Sequence, residues 1–331
     1  MLSIDGGGIR GLIAARVIAR LEELVSGEAG EDRRMADCFH MFAGTSTGGL
    51  LALGLTAPDP ADPSRPRLSG SDLVELYESE GPRIFGDRLH KLLSLGGWIG
   101  PKHPEARLER ALRERFGEAR LSEALRELLV TSYDMTEPGP HFFKRWRARQ
   151  SEERDVSMVD VGLSTSAAPT YFPSRGVGGR ALVDGGLFAA NPAVAAVVEA
   201  LKRRDTEPHD LSAGDLLVVS LGTGQHETGY RQPQVRRWGR IGWILPRRQD
   251  PALIAAFLDG QSDAADHWAG VLLGNGYFRF QIKLPVSTPL DDAGPRALDQ
   301  LNEAADRLLA DQDDRLREVA GRLARGSPLP P

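Results

Sequence analysis

Cys38-Phe-His-Met-Phe-Ala-Gly-Thr-Ser-Thr-Gly-Gly-Leu-Leu-Ala-Leu-Gly-Leu55 is an apolar run, a short turn and a second apolar run. Residues 38–43 read as a strand that Gly44 ends, and residues 50–55 continue as a helix beyond the turn. The turn is Gly44-x-Ser46-x-Gly48. A strand entering and a helix leaving is the setting in which such a turn lifts a serine hydroxyl above a sheet, with glycines relieving the crowding on both sides. The helix N-terminus then favours negative charge beside that hydroxyl. An ordinary glycine-rich strand-to-helix turn would read the same way, so the rest of the chain has to decide.

Outward from this stretch, strands and helices alternate. Residues 2–4 form a short strand and 5–8 a turn. Leu12, Ile13, Val17, Ile18, Leu21 and Leu24 then recur at helical spacing. Residues 56–68, with Pro58, Pro60, Pro63 and Pro66, read as a surface loop. A helix is expected over 71–80, capped by Ser69 or Ser71. Further helices are expected over 104–116, 122–128 and 156–168, with strands over 128–133, 141–146 and 180–183. Pro192 opens an apolar helix to residue 202. Residues 216–221 are continuously apolar, like a strand covered on both faces in a parallel sheet. A helix over 251–273, a strand over 277–284 and one long amphipathic helix over 295–323 follow. This alternation argues for an α/β protein, a three-layer α/β/α sandwich with a mainly parallel central sheet. No linker splits it, so one domain is expected over 1–325. Its motif-bearing core covers 1–224, and a C-terminal extension of helices and strand covers 225–325.

Composition narrows the class. The 331 residues are 41% hydrophobic and 26% charged, as in a globular protein. The net charge of −5 argues against a nucleic-acid polymer as partner. Cys38 is the single cysteine, so no internal disulfide forms. Met1-Leu2-Ser3-Ile4-Asp5 has no secretory pattern, and no stretch of about 18 uncharged apolar residues occurs. The expected location is cytoplasmic, with peripheral membrane contact at most. There are 37 glycines, about 11% against the usual ~7%, and many sit in clusters.

Two of those clusters bear on the serine. Asp5-Gly-Gly-Gly-Ile-Arg-Gly11 follows a strand and opens a helix, so its N–H groups favour an anion. Its Gly6-x-Gly8-x-x-Gly11 spacing matches a dinucleotide fingerprint, although the next strand ends at Ala43-Gly44 without the acidic residue that binds ribose. The anion is therefore either a pyrophosphate or the oxyanion of acyl transfer. The other cluster, Asp184-Gly185-Gly186, ends a short apolar strand. It reads either as an Asx turn or as a carboxylate placed near a neighbouring loop. A serine nucleophile needs a base. None of the seven histidines, His40, His90, His103, His141, His209, His226 and His267, occupies a convincing loop after a late strand. Asp184 could serve directly if burial raises its proton affinity.

Taken together, these runs resemble the patatin-like phospholipases. The resemblance rests on Asp5-Gly-Gly-Gly-Ile-Arg-Gly11, Gly44-Thr-Ser-Thr-Gly48 and Asp184-Gly-Gly186. Ser164-Thr-Ser-Ala-Ala-Pro-Thr-Tyr-Phe-Pro173 and Ser220-Leu-Gly-Thr-Gly224 support it. It implies a three-layer α/β/α fold and a Ser–Asp dyad, with Ser46 as nucleophile and Asp184 as base. Gly44 and Gly48 would flank the nucleophile, and Gly185 and Gly186 would follow the base. Gly6, Gly7, Gly8, Arg10 and Gly11 would form the oxyanion loop, with the amides around Gly7 and Gly8 as donors. Hydrolysis of membrane phospholipid esters without cofactor or metal is implied, and the missing histidine then needs no substitute.

Contact with lipid is expected from two segments. One runs through 92–99 and carries Trp98. The other, 236–248, combines Trp238 and Trp243 with five arginines. A buried tryptophan loop flanked by solvated arginines is the competing reading. The blocks Asp259-Gly-Gln-Ser-Asp263 and Tyr277-Phe-Arg-Phe280 are similar to bacterial patatin-like effectors of antiphage signalling, which implies a cyclic-nucleotide activator. Two other functions compete: a nucleotide-dependent oxidoreductase using Gly6, Gly8 and Gly11, and a non-catalytic lipid or nucleotide binder.

Overall fold

The computed structural model describes residues 1–86, 100–203, 212–227, 229–244, 251–285 and 288–326. The main elements are β1 (Leu2–Ile4), α1 (Gly11–Ala29), β2 (Met41–Thr45), α2 (Thr47–Thr56), α3 (Gly70–Phe85) and α4 (Glu105–Phe116). They continue as β3 (Glu127–Asp134), β4 (Gly139–Lys144), α5 (Met158–Thr165), β5 (Arg175–Val177), β6 (Arg180–Asp184) and α6 (Ala193–Arg203). The last are β7 (Val218–Leu221), α7 (Ala252–Leu273), β8 (Tyr277–Phe280), α8 (Pro295–Asp311) and α9 (Asp313–Ala324).

The sheet is parallel through β8, β7, β1, β2 and β3. β4 and β6 both pair antiparallel with β3, and β5 pairs antiparallel with β6. The registers show how three strands share β3. β4 runs along residues 129–134, whereas β2 covers 127–131 and β6 covers 132–134. A strand has two edges, so β2 and β6 lie end to end on the edge opposite β4. Thr45 is paired with Thr131, and Asp184 with Ser132. The C-terminal ends of β2 and β6 therefore abut.

Helices cover both faces. The larger core joins β1, β2 and β7 to α1, α2, α5, α8 and α9 through Leu2, Ile4, Leu12, Phe42, Leu51, Val161, Val219, Leu301 and Leu316. On the other face Ala193 and Val197 of α6 meet Val218 of β7 and Ala269 and Leu273 of α7. The 225–325 region is woven into the same body, since β8 extends the central sheet and α8 and α9 pack on α1.

Several expected elements differ. Residues 35–38 form a helical turn, so the strand starts at Met41 and His40 sits in the bend before it. Residues 122–128 are not a helix: a 3-10 turn at Leu121–Glu123 leads straight into β3. The strand at 141–146 is shifted to Gly139–Lys144, followed by a helical turn. α5 is shorter than expected, and α3 continues through Pro82 to Phe85. Ser69 caps α3 by accepting from the Asp72 N–H. The expected long C-terminal helix is broken at Gln312, which leaves helical geometry at φ −121°. β5 was not anticipated. It is joined to β6 by Gly178 and Gly179, whose φ values of 56° and 79° suit a tight hairpin.

Candidate active site

Ser46 sits between β2 and α2 with φ 54° and ψ −125°. A non-glycine residue at positive φ is strained, and such strain persists only where the surroundings fix it. The Ser46 N–H donates to Thr165 Oγ1 at 2.8 Å. Thr45 Oγ1 is within 2.7 Å of Thr131 Oγ1 and 2.6 Å of the Ala189 carbonyl oxygen. The turn also demands close backbone approach. A Cβ on Gly44 would lie 2.2 Å from the Gly48 carbonyl oxygen, and one on Gly48 would lie 2.1 Å from that of Ile4. Both glycines flank the serine because no side chain fits there.

Asp184 ends β6. Its N–H donates to the Ala167 carbonyl, and its Oδ1 accepts from the Gly186 N–H at 2.7 Å. The Ser46 side chain acts on the same carboxylate, favouring its ionised form. Asp184 is buried, and this desolvation pushes its pKa up to about 6 against the opposing pull of Ser46 and of the Gly186 bond. Gly185 packs over Thr131 at the junction of the two strands. Asn191 Oδ1 accepts from the Ala193 N–H and starts α6 just beyond this loop.

The glycine loop closes the site from the β1 side. Of its five candidate residues, Gly7 and Gly8 have N–H groups that take no backbone acceptor among the described residues. Both line the same cavity as Ser46 and Asp184. The other three do a different job. The Gly6 N–H is committed to the Ala190 carbonyl at 2.9 Å, and the Gly11 N–H to the Gly8 and Ile9 carbonyls of the 3-10 turn before α1. The Arg10 backbone N–H bonds the Gly7 carbonyl, and its guanidinium turns away to within 3.4 Å of His226 Nε2. Gly8 has φ 56°, and a Cβ there would lie 2.2 Å from the Leu290 carbonyl oxygen.

Residues outside the sequence motifs hold this loop. Asp5 is buried and takes both guanidinium arms of Arg279, at 2.6 and 2.9 Å. Ser262 donates to Asp5 at 2.9 Å, and Arg279 also reaches Ser220 Oγ. Thr223 donates to the Gly6 carbonyl at 2.7 Å. The 259–263 and 277–280 blocks thus supply Ser262 and Arg279 to the base of the loop.

Ser46 and Asp184 open into a cavity of about 380 Å³. Its walls are Leu50 and Leu51 of α2, Leu73, Tyr77 and Phe85 of α3, Leu108 and Leu112 of α4, and Leu253, Phe257 and Leu258 of α7. Besides Asp184, its charged lining residues are Glu80 and Arg115. No described histidine lines it; His103 is buried elsewhere with Nε2 2.8 Å from Asp291. His90 and His209 lie outside the described residues. So do Trp98 and its segment. Trp238 and Trp243 are half-buried and stack edge-on, with Tyr230 completing the cluster. Among the described residues no helix is long and apolar enough to cross a membrane, and no metal-ligating cluster of three or more occurs.

A family model for the patatin-like phospholipases matches residues 2–197. The chain is 32% identical over 339 residues to patatin-like protein 2 of Oryza sativa subsp. indica, covering 93% of this chain and 83% of that one. It is 33% identical to patatin-like protein 2 of Arabidopsis thaliana, with coverage of 93% and 82%. To patatin-03 of Solanum tuberosum it is 31% identical, with coverage of 93% and 83%. VipD from Legionella pneumophila is a distant structural neighbour, with a TM-score of 0.37, 12% identity, and coverage of 94% of this chain and 66% of that one. The chain belongs to the patatin-like phospholipase family and is a hydrolase of the lipid acyl ester class.

Proposed function

We propose that this enzyme cleaves acyl esters of membrane phospholipids with a Ser46–Asp184 dyad, working peripherally on the lipid. One observation carries the reading: Ser46 and the buried carboxylate of Asp184 line the same apolar cavity, close enough that the serine side chain acts on the carboxylate's pKa. With its pKa raised to about 6, Asp184 is still mostly ionised at neutral pH, and it is a stronger base than an exposed carboxylate. It takes the hydroxyl proton as Ser46 Oγ attacks the ester carbonyl. The tetrahedral oxyanion falls to the Gly7 and Gly8 N–H groups, each worth about 3 kcal/mol of barrier. Collapse breaks the ester bond, and Asp184 returns its proton to the departing lysolipid oxygen. Water, deprotonated by Asp184, then attacks the acyl-Ser46 ester and releases the fatty acid. Apolar walls suit an acyl chain, which leaves water on entering.

A fluorophosphonate probe followed by peptide mapping tests the nucleophile. Ser46 is expected to carry the label, and Ser46→Ala to abolish both labelling and phospholipid hydrolysis. Asp184→Asn should lower kcat by at least about a thousandfold with the fold intact, because the hydroxyl loses its base. Substantial hydrolysis by either variant sinks the dyad.

A further inference from the structure

α7 carries its large apolar side chains on the side facing water. Its buried positions are mostly small: Ala252, Ser262, Ala265, Ala269 and Leu273. Its exposed ones include Leu253 at 48%, Phe257 at 55%, Trp268 at 60% and Val271 at 75%. At 100° per residue, Leu253, Phe257, Ala264, Trp268 and Val271 fall within about 40° of one line, a stripe about 27 Å long. None of these five is charged. The three aspartates of this helix, Asp259, Asp263 and Asp266, all lie off the stripe; Asp263 accepts from Gln225 at 2.6 Å and Asp266 from Tyr277 at 2.9 Å. A surface helix in water normally shows the reverse distribution, and a contiguous apolar face of this kind marks a docking surface.

The cavity says what covers it. Leu253 and Phe257 belong both to the exposed stripe and to the cavity wall, where Gly186 and Leu187 join them beside Asp184. The stripe is thus a continuation of the cavity lining onto the outside of the molecule. We infer that the outer face of α7 is the surface on which the enzyme lies on a lipid bilayer, so that an acyl chain passes from the membrane into the cavity without crossing water. This rests on the acyl-hydrolase reading. A stripe without basic residues inserts by apolar contact, so a zwitterionic surface suffices.

Flotation with phosphatidylcholine vesicles, alongside hydrolysis of soluble p-nitrophenyl butyrate, tests it. Trp268 and Val271 lie at the far end of the stripe, outside the cavity lining. The Trp268→Glu/Val271→Glu double variant should partition onto vesicles at least about tenfold less than the wild type. It should keep soluble-ester hydrolysis within about twofold, since exposed substitutions barely disturb a fold. Equal partitioning of variant and wild type, or no partitioning by the wild type, overturns the proposal. So does unchanged partitioning together with a dimer that falls to monomer by sedimentation, which would give the face to a second copy of the chain. A wild type that partitions but hydrolyses no ester, with a variant that does not partition, leaves the docking surface standing and removes the acyl-hydrolase reading.

Discussion

On the dyad reading, Asp184 bears on both activity and stability. Burial raises its pKa to about 6, and a base works only when ionised. The kcat/KM for a soluble ester should therefore rise with pH and level off above about 6; a flat profile between pH 5 and 8 would contradict Asp184 as the base. The same shift works against the fold. A carboxyl with a raised folded-state pKa favours the native state while protonated, below its ordinary value of 3.8. That advantage is lost as pH rises through about 6. The loss approaches about 3 kcal/mol at pH 8, at 1.36 kcal/mol per unit. Asp184→Asn should accordingly melt above the wild type at pH 8 and lose that margin by pH 4. A margin independent of pH, measured by calorimetry, would refute this linkage. The turns that carry Ser46 and Asp184 were legible in the sequence because each is fixed by glycines next to it in the chain. Thr165 was not. Its hydroxyl reaches the Ser46 N–H from a different helix, and nothing in its local string marks that contact.

At the level of elements, the glycine loop depends on a strand remote in sequence. Arg279 of β8 grips Asp5 with two short bonds, and both side chains are largely buried. Removing one partner of such a pair strands the other charge, which costs about 3–5 kcal/mol. Arg279→Leu should lower the urea midpoint accordingly and slow catalysis, because the Gly7 and Gly8 amides follow directly after Asp5. Adding Asp5→Asn should recover much of the stability, since no buried charge is then left alone. If the double variant is no more stable than Arg279→Leu, the pair does not behave as an ion pair. Nothing in the strings around Asp5 or Arg279 announces this contact. Reading elements from the sequence also failed where local pattern and tertiary setting disagree. Leu301, Leu308, Leu316 and Val319 keep a helical rhythm across residue 312, so periodicity alone ran α8 and α9 together. The break comes from Gln312, whose side chain turns to the Gln281 carbonyl while Asp313 and Asp314 open a new first turn.

On the scale of the molecule, the site exists because β2 and β6 meet end to end on β3. Adjacent positions, Thr131 and Ser132, hold Thr45 and Asp184, and this brings the serine and the carboxylate together. Alternation of strands and helices predicted a parallel α/β sandwich. It could not predict this meeting, because an antiparallel hairpin docked on a parallel strand is a matter of register between distant segments. The cavity has the same origin, since its walls come from α2, α3, α4 and α7, brought together only by packing. Its volume should therefore set the acyl length accepted, and α4 offers a way to change it. Ala111 is buried and lines the cavity from α4. Ala111→Phe places a ring in space that an acyl chain would fill. The expected result is a kcat/KM ratio for sixteen-carbon over four-carbon esters that falls by at least about tenfold, with the four-carbon value nearly unchanged. The stability cost should stay within about 3 kcal/mol, because the ring extends into a void rather than into packed neighbours. Equal loss on both esters would mean that the substitution disturbed the dyad, and an unchanged ratio would mean that the acyl chain lies elsewhere.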